Sequence, residues 1–274
     1  MKILNYCSGG LGNRLKPLAS CAAIAKETGR KLGVMWQPTM RCQTHFHDLF
    51  TNEIEEFDNE SIKLLEPVEI YSERSYITHD ANLNHMNGLL LLSGIYDVHS
   101  LSNASNIRSN TCNNIITYSN DYLVGYDRSL CNNYLKSLIP IDYIKEEVER
   151  FCQVHSIDKT IIGVHCRGTD FESNGSQIQS YITHMSAYDG KFFICSDSLE
   201  YEESIKQIFG DRVIFRRKNS YVYKENPSNG WTNNVQTPKE SVQESLIDLY
   251  ILSRTNLQIY NKNSTFADIA LALS

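Results

Sequence analysis

The chain has 274 residues, 41% of them hydrophobic and 21% charged, and a formal net charge of −6. This is the composition of a globular protein with room for two domains of ordinary size. The acidic balance argues against an extended nucleic-acid footprint, and the longest apolar cluster, Leu89-Leu90-Leu91-Leu92, is far too short for a membrane span.

The amino terminus, Met1-Lys2-Ile3-Leu4-Asn5-Tyr6, enters a strand pattern at once and lacks the apolar core of a secretory signal, which predicts a cytoplasmic protein. The eight cysteines show neither CxxC nor metal-ligand spacing and fit reduced, buried thiols. Lys2 to Cys7 reads as a strand and Ser8 to Leu15 as a glycine-rich turn. From Leu15 to Thr28 apolar residues recur at helical spacing until Gly29, and Lys31 to Trp36 is a second strand. Such a unit opens a parallel α/β sheet.

The turn exposes backbone N–H groups at the positive end of a helix, which suits an anion or an array of sugar hydroxyls. Gly10 and Gly12 match the dinucleotide fingerprint only in part, because Leu15 stands where its third glycine belongs. No acidic residue ends the second strand either. Asn13 and Arg14 extend the polar reach of the helix start. Pro38 to Phe50 is a polar loop in which His45 and His47 alternate with Phe46, with no third metal ligand nearby. Between residues 51 and 133 the strand patterns at Pro67–Tyr71 and Ile115–Tyr118 and a helical stretch at His85–Leu92 stand out.

The second half alternates regularly. A helix from about Ile139 to His155 precedes strands at Thr160–Cys166, Lys191–Cys195, Arg212–Phe215 and Leu257–Tyr260. Helices are predicted at Ser176–Tyr188, Leu199–Phe209, Glu240–Arg254 and Ala267–Leu273, and a polar loop runs from Arg216 to Pro238. The expected organisation is a domain over residues 1–138 and another over 139–274, each with a parallel sheet.

Three strand ends in this half carry polar groups: His165, Arg167 and Asp170; Ser196 and Asp197; and Asn263, Ser264 and Thr265. In an open α/β sheet, ligands bind at the carboxyl ends of the strands. A guanidinium can fork onto phosphate oxygens, Asp170 can accept from hydroxyls or amides, and Gly168 lets a ligand approach the main chain. Ser264 and Thr265 suit a helix cap, and a helix start also suits phosphate. Asp248, between Ile247 and Leu249, lies either at the helix–solvent boundary or in a cleft, where it would accept from a guanine edge or a ribose.

Taken together, Gly9-Gly10-Leu11-Gly12-Asn13, His165-Cys166-Arg167-Gly168-Thr169-Asp170, and Asp248 to Ser253 followed by Asn263-Ser264-Thr265-Phe266 resemble the motif series of the GT-B fucosyltransferase superfamily. That group includes the α1,6-, nodulation and protein O-fucosyltransferases. The resemblance implies two Rossmann-like domains facing across a cleft and inverting, metal-free transfer from GDP-fucose to a glycan or glycolipid. It implies no cofactor.

Carried over by motif, Arg167 would neutralise the diphosphate with His165 supporting it, and Asp170 would sit near Arg167 or the sugar. Asp197 and Asp248 would contact guanine or ribose. Ser264, Thr265 and Phe266 would hold the β-phosphate, and Asn13 would reach the reacting centre. Gly168 stands where the α1,6 branch has a second arginine. Asp48, Asp170 and Glu172 are the candidate general bases. The competing readings are a non-catalytic nucleotide-sugar- or glycan-binding protein of the same fold and an NAD(P)-dependent oxidoreductase.

Overall fold

A computed structural model of the chain describes residues 1–65, 68–72, 98–100, 104–123, 125–168, 176–224 and 235–274. The helical stretch expected at His85–Leu92 lies outside them. The chain forms two compact units, one of Met1–Thr39 with Thr51–Ile139, the other of Met40–Phe50 with Pro140–Ser274.

The first unit contains β1 (Lys2–Tyr6), α1 (Leu11–Thr28), β2 (Lys31–Met35), β3 (Glu55–Glu56), α2 (Asn59–Lys63), β4 (Val68–Ser72), β5 (Val98–Ser100), α3 (Ala104–Ser109), β6 (Asn114–Tyr118) and α4 (Arg128–Ser137). Its described strands form a parallel sheet in the order β3-β2-β1-β6-β4-β5. The central strand β1 is buried on both faces, so its successive residues enter different cores. Ile3 packs with Cys21 and Ile24 of α1, whereas Leu4 and Tyr6 pack with Met35, Phe57 and Ile62 on the other side.

Helix α1 begins at Leu11, four residues earlier than the apolar spacing indicates, so Gly12, Asn13 and Arg14 lie in its first turn. Gly10 occupies the cap position with extended backbone. Gly9 has φ +71°, and a Cβ there would meet the Asn13 side chain at 3.2 Å. Glycine is the residue for that bend.

The second unit contains α5 (Asp142–His155), β7 (Ile162–Cys166), α6 (Ser176–Met185), β8 (Phe192–Ser196), α7 (Leu199–Phe209), β9 (Val213–Phe215), the antiparallel pair β10 (Tyr223–Lys224) and β11 (Val235–Gln236), α8 (Lys239–Arg254), β12 (Asn256–Ile259) and α9 (Thr265–Leu273). Its sheet is parallel in the order β12-β7-β8-β9. Ile162, Val164, Phe192 and Ile194 face α6 and α7, where they pack with Met185 and Ile205. Phe193 turns the other way and meets Phe151 of α5 edge-on at 5.8 Å.

Met40–Phe50 joins this unit through Gln43 N–H to the Thr237 carbonyl at 3.0 Å and Thr237 N–H to the Met40 carbonyl at 2.7 Å. Cys42, Thr44 and Phe46 are fully buried, a strand-like alternation within what reads as a polar loop. None of the eight cysteines forms a disulfide. Among the described residues, no helix is long and apolar enough to cross a membrane.

Candidate functional site

In the second unit the chain runs from β7 outward through β8 to β9 and then returns to lay β12 on the opposite side of β7. The strand order therefore reverses between β7 and β12, the place where open α/β sheets hold ligands. Residues at and just beyond the ends of these two strands form one cluster. The His165 ring stacks on Phe266, with centroids 5.0 Å apart and planes 16° from parallel, and its Nδ1 lies 3.3 Å from the Ser264 hydroxyl. The same hydroxyl caps α9 by accepting the Ala267 N–H at 3.2 Å. From the end of β8, the Asp197 carboxylate accepts the Gly168 N–H at 2.6 Å.

Burial pushes the His165 imidazole down to about 4, with Asp197 and Asp248 opposing and Arg167 reinforcing the shift. It is thus a neutral ring, fixed by its stack and by Ser264. Burial also works against the Arg167 cation; Asp197 supports it and Arg41 opposes it. Guanidinium remains protonated under such pressure. A half-buried guanidinium beside a neutral histidine, a carboxylate and a helix start is equipped to stabilise an anion.

The structure thus brings together His165, Arg167, Asp197, Ser264 and Phe266. Thr265 opens α9 beside them. Two of these residues hold their neighbours: Phe266 carries the imidazole, and the Ser264 hydroxyl serves both the cap and His165. Gly168 answers to a protein neighbour, since a Cβ there would lie 2.8 Å from Cβ of Ser198. Asp170 and Glu172 fall outside the described residues. Gly10, Gly12 and Asn13 lie in the first unit, at the start of α1.

Asp248 has a different occupation from the nucleotide contact expected of it. It is 1% exposed, with Oδ1 2.9 Å from Arg216 Nε and Oδ2 2.9 Å from Lys218 Nζ. Lys218 also pairs with Glu202 at 2.5 Å, Tyr221 donates to Glu202 at 2.6 Å, and Arg216 is bonded to the carboxylate of Glu244. Burial pushes Glu202 up to about 7 against the pull of Lys218. Lys218 and Arg216 are held above their ordinary values, since Asp248 and the nearby glutamates outweigh their burial. Glu202 also accepts the Ser196 N–H at 3.3 Å, which ties the network to the end of β8 just before Asp197. Arg216 and Lys218 are buried on either side of the exposed Arg217, just past β9 in what reads as a polar loop.

Arg14 is likewise internal. It donates to the Gly9 carbonyl at 3.1 Å, the Gln37 carbonyl at 2.9 Å and the Thr39 hydroxyl at 2.9 Å, and its guanidinium lies over Trp36. Its reach is toward its own fold, where it fastens the glycine turn to the exit of β2. Asp48, a candidate base, accepts the His45 N–H at 2.8 Å and pairs with Lys239. Burial raises its carboxyl, but Lys239 and the His45 N–H outweigh that and hold it below the usual range. His45 caps the short 3₁₀ turn Phe46–Asp48, and His47 lies within it. Among the described residues no group of three or more His, Cys, Asp or Glu is placed around a common metal position.

No protein-family model and no curated protein matches the sequence. Solved structures do match the fold. NodZ α1,6-fucosyltransferase co-crystallised with GDP aligns with a TM-score of 0.67 at 18% identity, over 98% of this chain and 91% of that one. The selenomethionine structure of NodZ from Bradyrhizobium aligns equally well, with a TM-score of 0.67, 18% identity and the same 98% and 91% coverage. POFUT1 in complex with GDP-fucose aligns with a TM-score of 0.58 at 13% identity, over 99% of this chain and 94% of that one. The chain has the GT-B fucosyltransferase-like fold, α/β with two parallel sheets flanked by helices.

Proposed function

We propose that the chain is an inverting, metal-independent fucosyltransferase that transfers fucose from GDP-fucose to a hydroxyl of a glycan or glycolipid in the cytoplasm. The observation that carries this reading is the place of Arg167. It follows β7 at the strand-order reversal, half-buried beside neutral His165 and Asp197, with the start of α9 close by. Structures of this fold hold GDP and GDP-fucose.

In the proposed reaction an acceptor oxygen bonds to the anomeric carbon from the face opposite GDP, and the bond from that carbon to the β-phosphate oxygen breaks. The electron pair leaves with GDP. Arg167 and the first amides of α9 stabilise the charge where it develops, the task a divalent ion performs in other glycosyltransferases. His165, kept neutral, adds a hydrogen-bonding ring without competing charge. Asp197 fixes the main chain at Gly168 and so the direction of the Arg167 side chain. The acceptor's proton goes to a carboxylate, a role assigned to Asp170; Asp48, committed to Lys239, is the poorer base.

The test is a transfer assay with labelled GDP-fucose and a panel of glycan and glycolipid acceptors, run with and without EDTA. The expected result is transfer with inverted anomeric configuration at an unchanged rate in EDTA. Inhibition by EDTA that manganese rescues would contradict the metal-free mechanism. Release of no fucose to any acceptor would favour a binding protein of the same fold.

A further inference from the structure

The buried ion network and the candidate site share one turn, Ser196-Asp197-Ser198, at the end of β8. Strand β8 pairs with β9 only as far as Ile194, which lies opposite Phe215. Past that point the main chain of β8 is met by a side chain. Glu202 Oε1, from α7, accepts the Ser196 N–H at 3.3 Å. The same carboxylate is held on both oxygens by the segment that leaves β9. Lys218 Nζ lies 2.5 Å from Oε1, and the Tyr221 hydroxyl donates to Oε2 at 2.6 Å. Lys218 also pairs with Asp248 of α8 at 2.9 Å, and all three charged groups are buried.

Both neighbours of Asp197 are fixed by this arrangement. The Ser196 N–H is held by Glu202, and the Ser196 hydroxyl accepts the Ser198 N–H at 3.1 Å. The Ser198 hydroxyl in turn caps α7 by accepting the Tyr201 N–H at 3.4 Å. From between these two serines the Asp197 carboxylate reaches the Gly168 N–H at 2.6 Å. A run of contacts thus leads from Tyr221 and Lys218 through Glu202, Ser196 and Asp197 to the residue after Arg167.

Such a network is weak evidence for stability, because replacing a buried ion pair by apolar residues of similar size is often neutral or stabilising. A buried polar network whose bonds are made does rigidify what it touches. Burial works against the charge of Glu202, and Lys218 and Tyr221 oppose that pressure, so the carboxylate and its two holders act together.

Resting on the donor reading above, we propose that Glu202 is a positioning residue for Arg167. Held by Lys218 and Tyr221, it sets the turn that carries Asp197, and Asp197 sets the main chain beside Arg167. Its action is on kcat. A slightly displaced guanidinium still binds the donor in the ground state, but it meets the developing charge out of place.

The experiment is steady-state release of GDP from GDP-fucose by the whole chain, wild type against Glu202→Ala, Glu202→Gln and Tyr221→Phe. It is run below the melting temperature of each, with GDP affinity measured by calorimetry alongside. The expected result is a kcat about tenfold lower in Glu202→Ala, with the KM for GDP-fucose and the GDP affinity changed less than about threefold. Glu202→Gln should recover most of the loss, since its amide oxygen still accepts the Ser196 N–H. Tyr221→Phe, which removes one bond to the carboxylate, should lower kcat about threefold. A folded Glu202→Ala with the wild-type kcat would overturn the proposal, and so would a Glu202→Gln no better than Glu202→Ala. GDP affinity lost in step with kcat would also overturn it, because Glu202 would then act on the fold of the whole site. Should Glu202→Ala not fold, an unchanged kcat in Tyr221→Phe overturns it. A wild type that binds GDP but releases none from GDP-fucose would overturn this proposal alone. A wild type that binds no GDP would overturn it together with the donor reading.

Discussion

Each unit has a strand-order reversal in its sheet, and the two are furnished very differently. In the first it falls between β1 and β6. The groups at the strand ends there are mostly hydroxyls and amides: the Ser8 hydroxyl donates to Asn120 at 2.6 Å, Asn5 donates to Cys7 at 3.0 Å, and the turn at Gly9 leads into Asn13, while buried Lys16 is paired with Asp121 at 2.9 Å. A second local cation, Arg14, is turned inward onto backbone carbonyls and Trp36. In the second unit the reversal between β7 and β12 carries Arg167, Asp197 and, close by, the buried network around Asp248. The same topology thus carries two different sets of side chains. Amides and hydroxyls suit a sugar, whereas a desolvated guanidinium suits a diphosphate.

The largest effect that can break this contrast is at Arg167. In Arg167→Ala the transfer rate should fall about 10²–10³-fold with the melting temperature unchanged, since loss of one charge-stabilising donor is worth that much. A steady-state assay checks it, and an unchanged rate would remove the distinction between the two units.

The next effect is structural. Asp248→Ala leaves Arg216 and Lys218 buried without their shared partner, which should cost about 3–5 kcal/mol in chemical denaturation. A loss below about 1 kcal/mol would mean that Asp248 is a ligand contact and not the centre of a network.

A smaller effect depends on pH. His165 has a folded value of about 4, below its unfolded value of about 6.5. Between these values the unfolded chain binds more protons, so stability is complete above about pH 6.5 and is lost as pH falls toward 4. The full loss is on the order of 3 kcal/mol. Glu202 acts in the opposite sense. Its folded value of about 7 lies above its unfolded one, so its contribution is present below about 4.5 and lost as pH rises to 7. Stability measured across pH 4–7 in His165→Asn should therefore lose its acid-side decline and keep the Glu202 slope. An unaltered acid limb would show that His165 is not held neutral by its site.

Most of the second sheet was legible because its strands are short, continuous apolar runs separated by periodic helices. The stretch Ile161 to Asp170 announces both the strand and the charged end that follows it. The motif residues His165, Arg167, Ser264 and Phe266 do converge, although Phe266 and Ser264 hold the histidine and the helix cap more directly than any ligand. What sequence reasoning missed had a common cause, which is polar residues placed by strand geometry beyond an apolar run. Arg216 and Lys218 are buried about exposed Arg217 just beyond β9, and Cys42, Thr44 and Phe46 alternate inside a segment that reads as loop. Arg14 was misread because a buried arginine and a surface one look alike in sequence. Its three acceptors come from the turn and from residues 37 and 39, which only the fold brings to it.

The central claim is that the second unit's reversal holds a guanine nucleotide diphosphate. The most direct measurement is a calorimetric titration of the whole chain with GDP, GDP-fucose, UDP, CMP and NAD, without acceptor. Selective binding of GDP and GDP-fucose is the result predicted here. A preference for UDP or CMP would contradict the donor assignment within the same fold, and a response to NAD alone, or to none of them, would contradict the account as a whole.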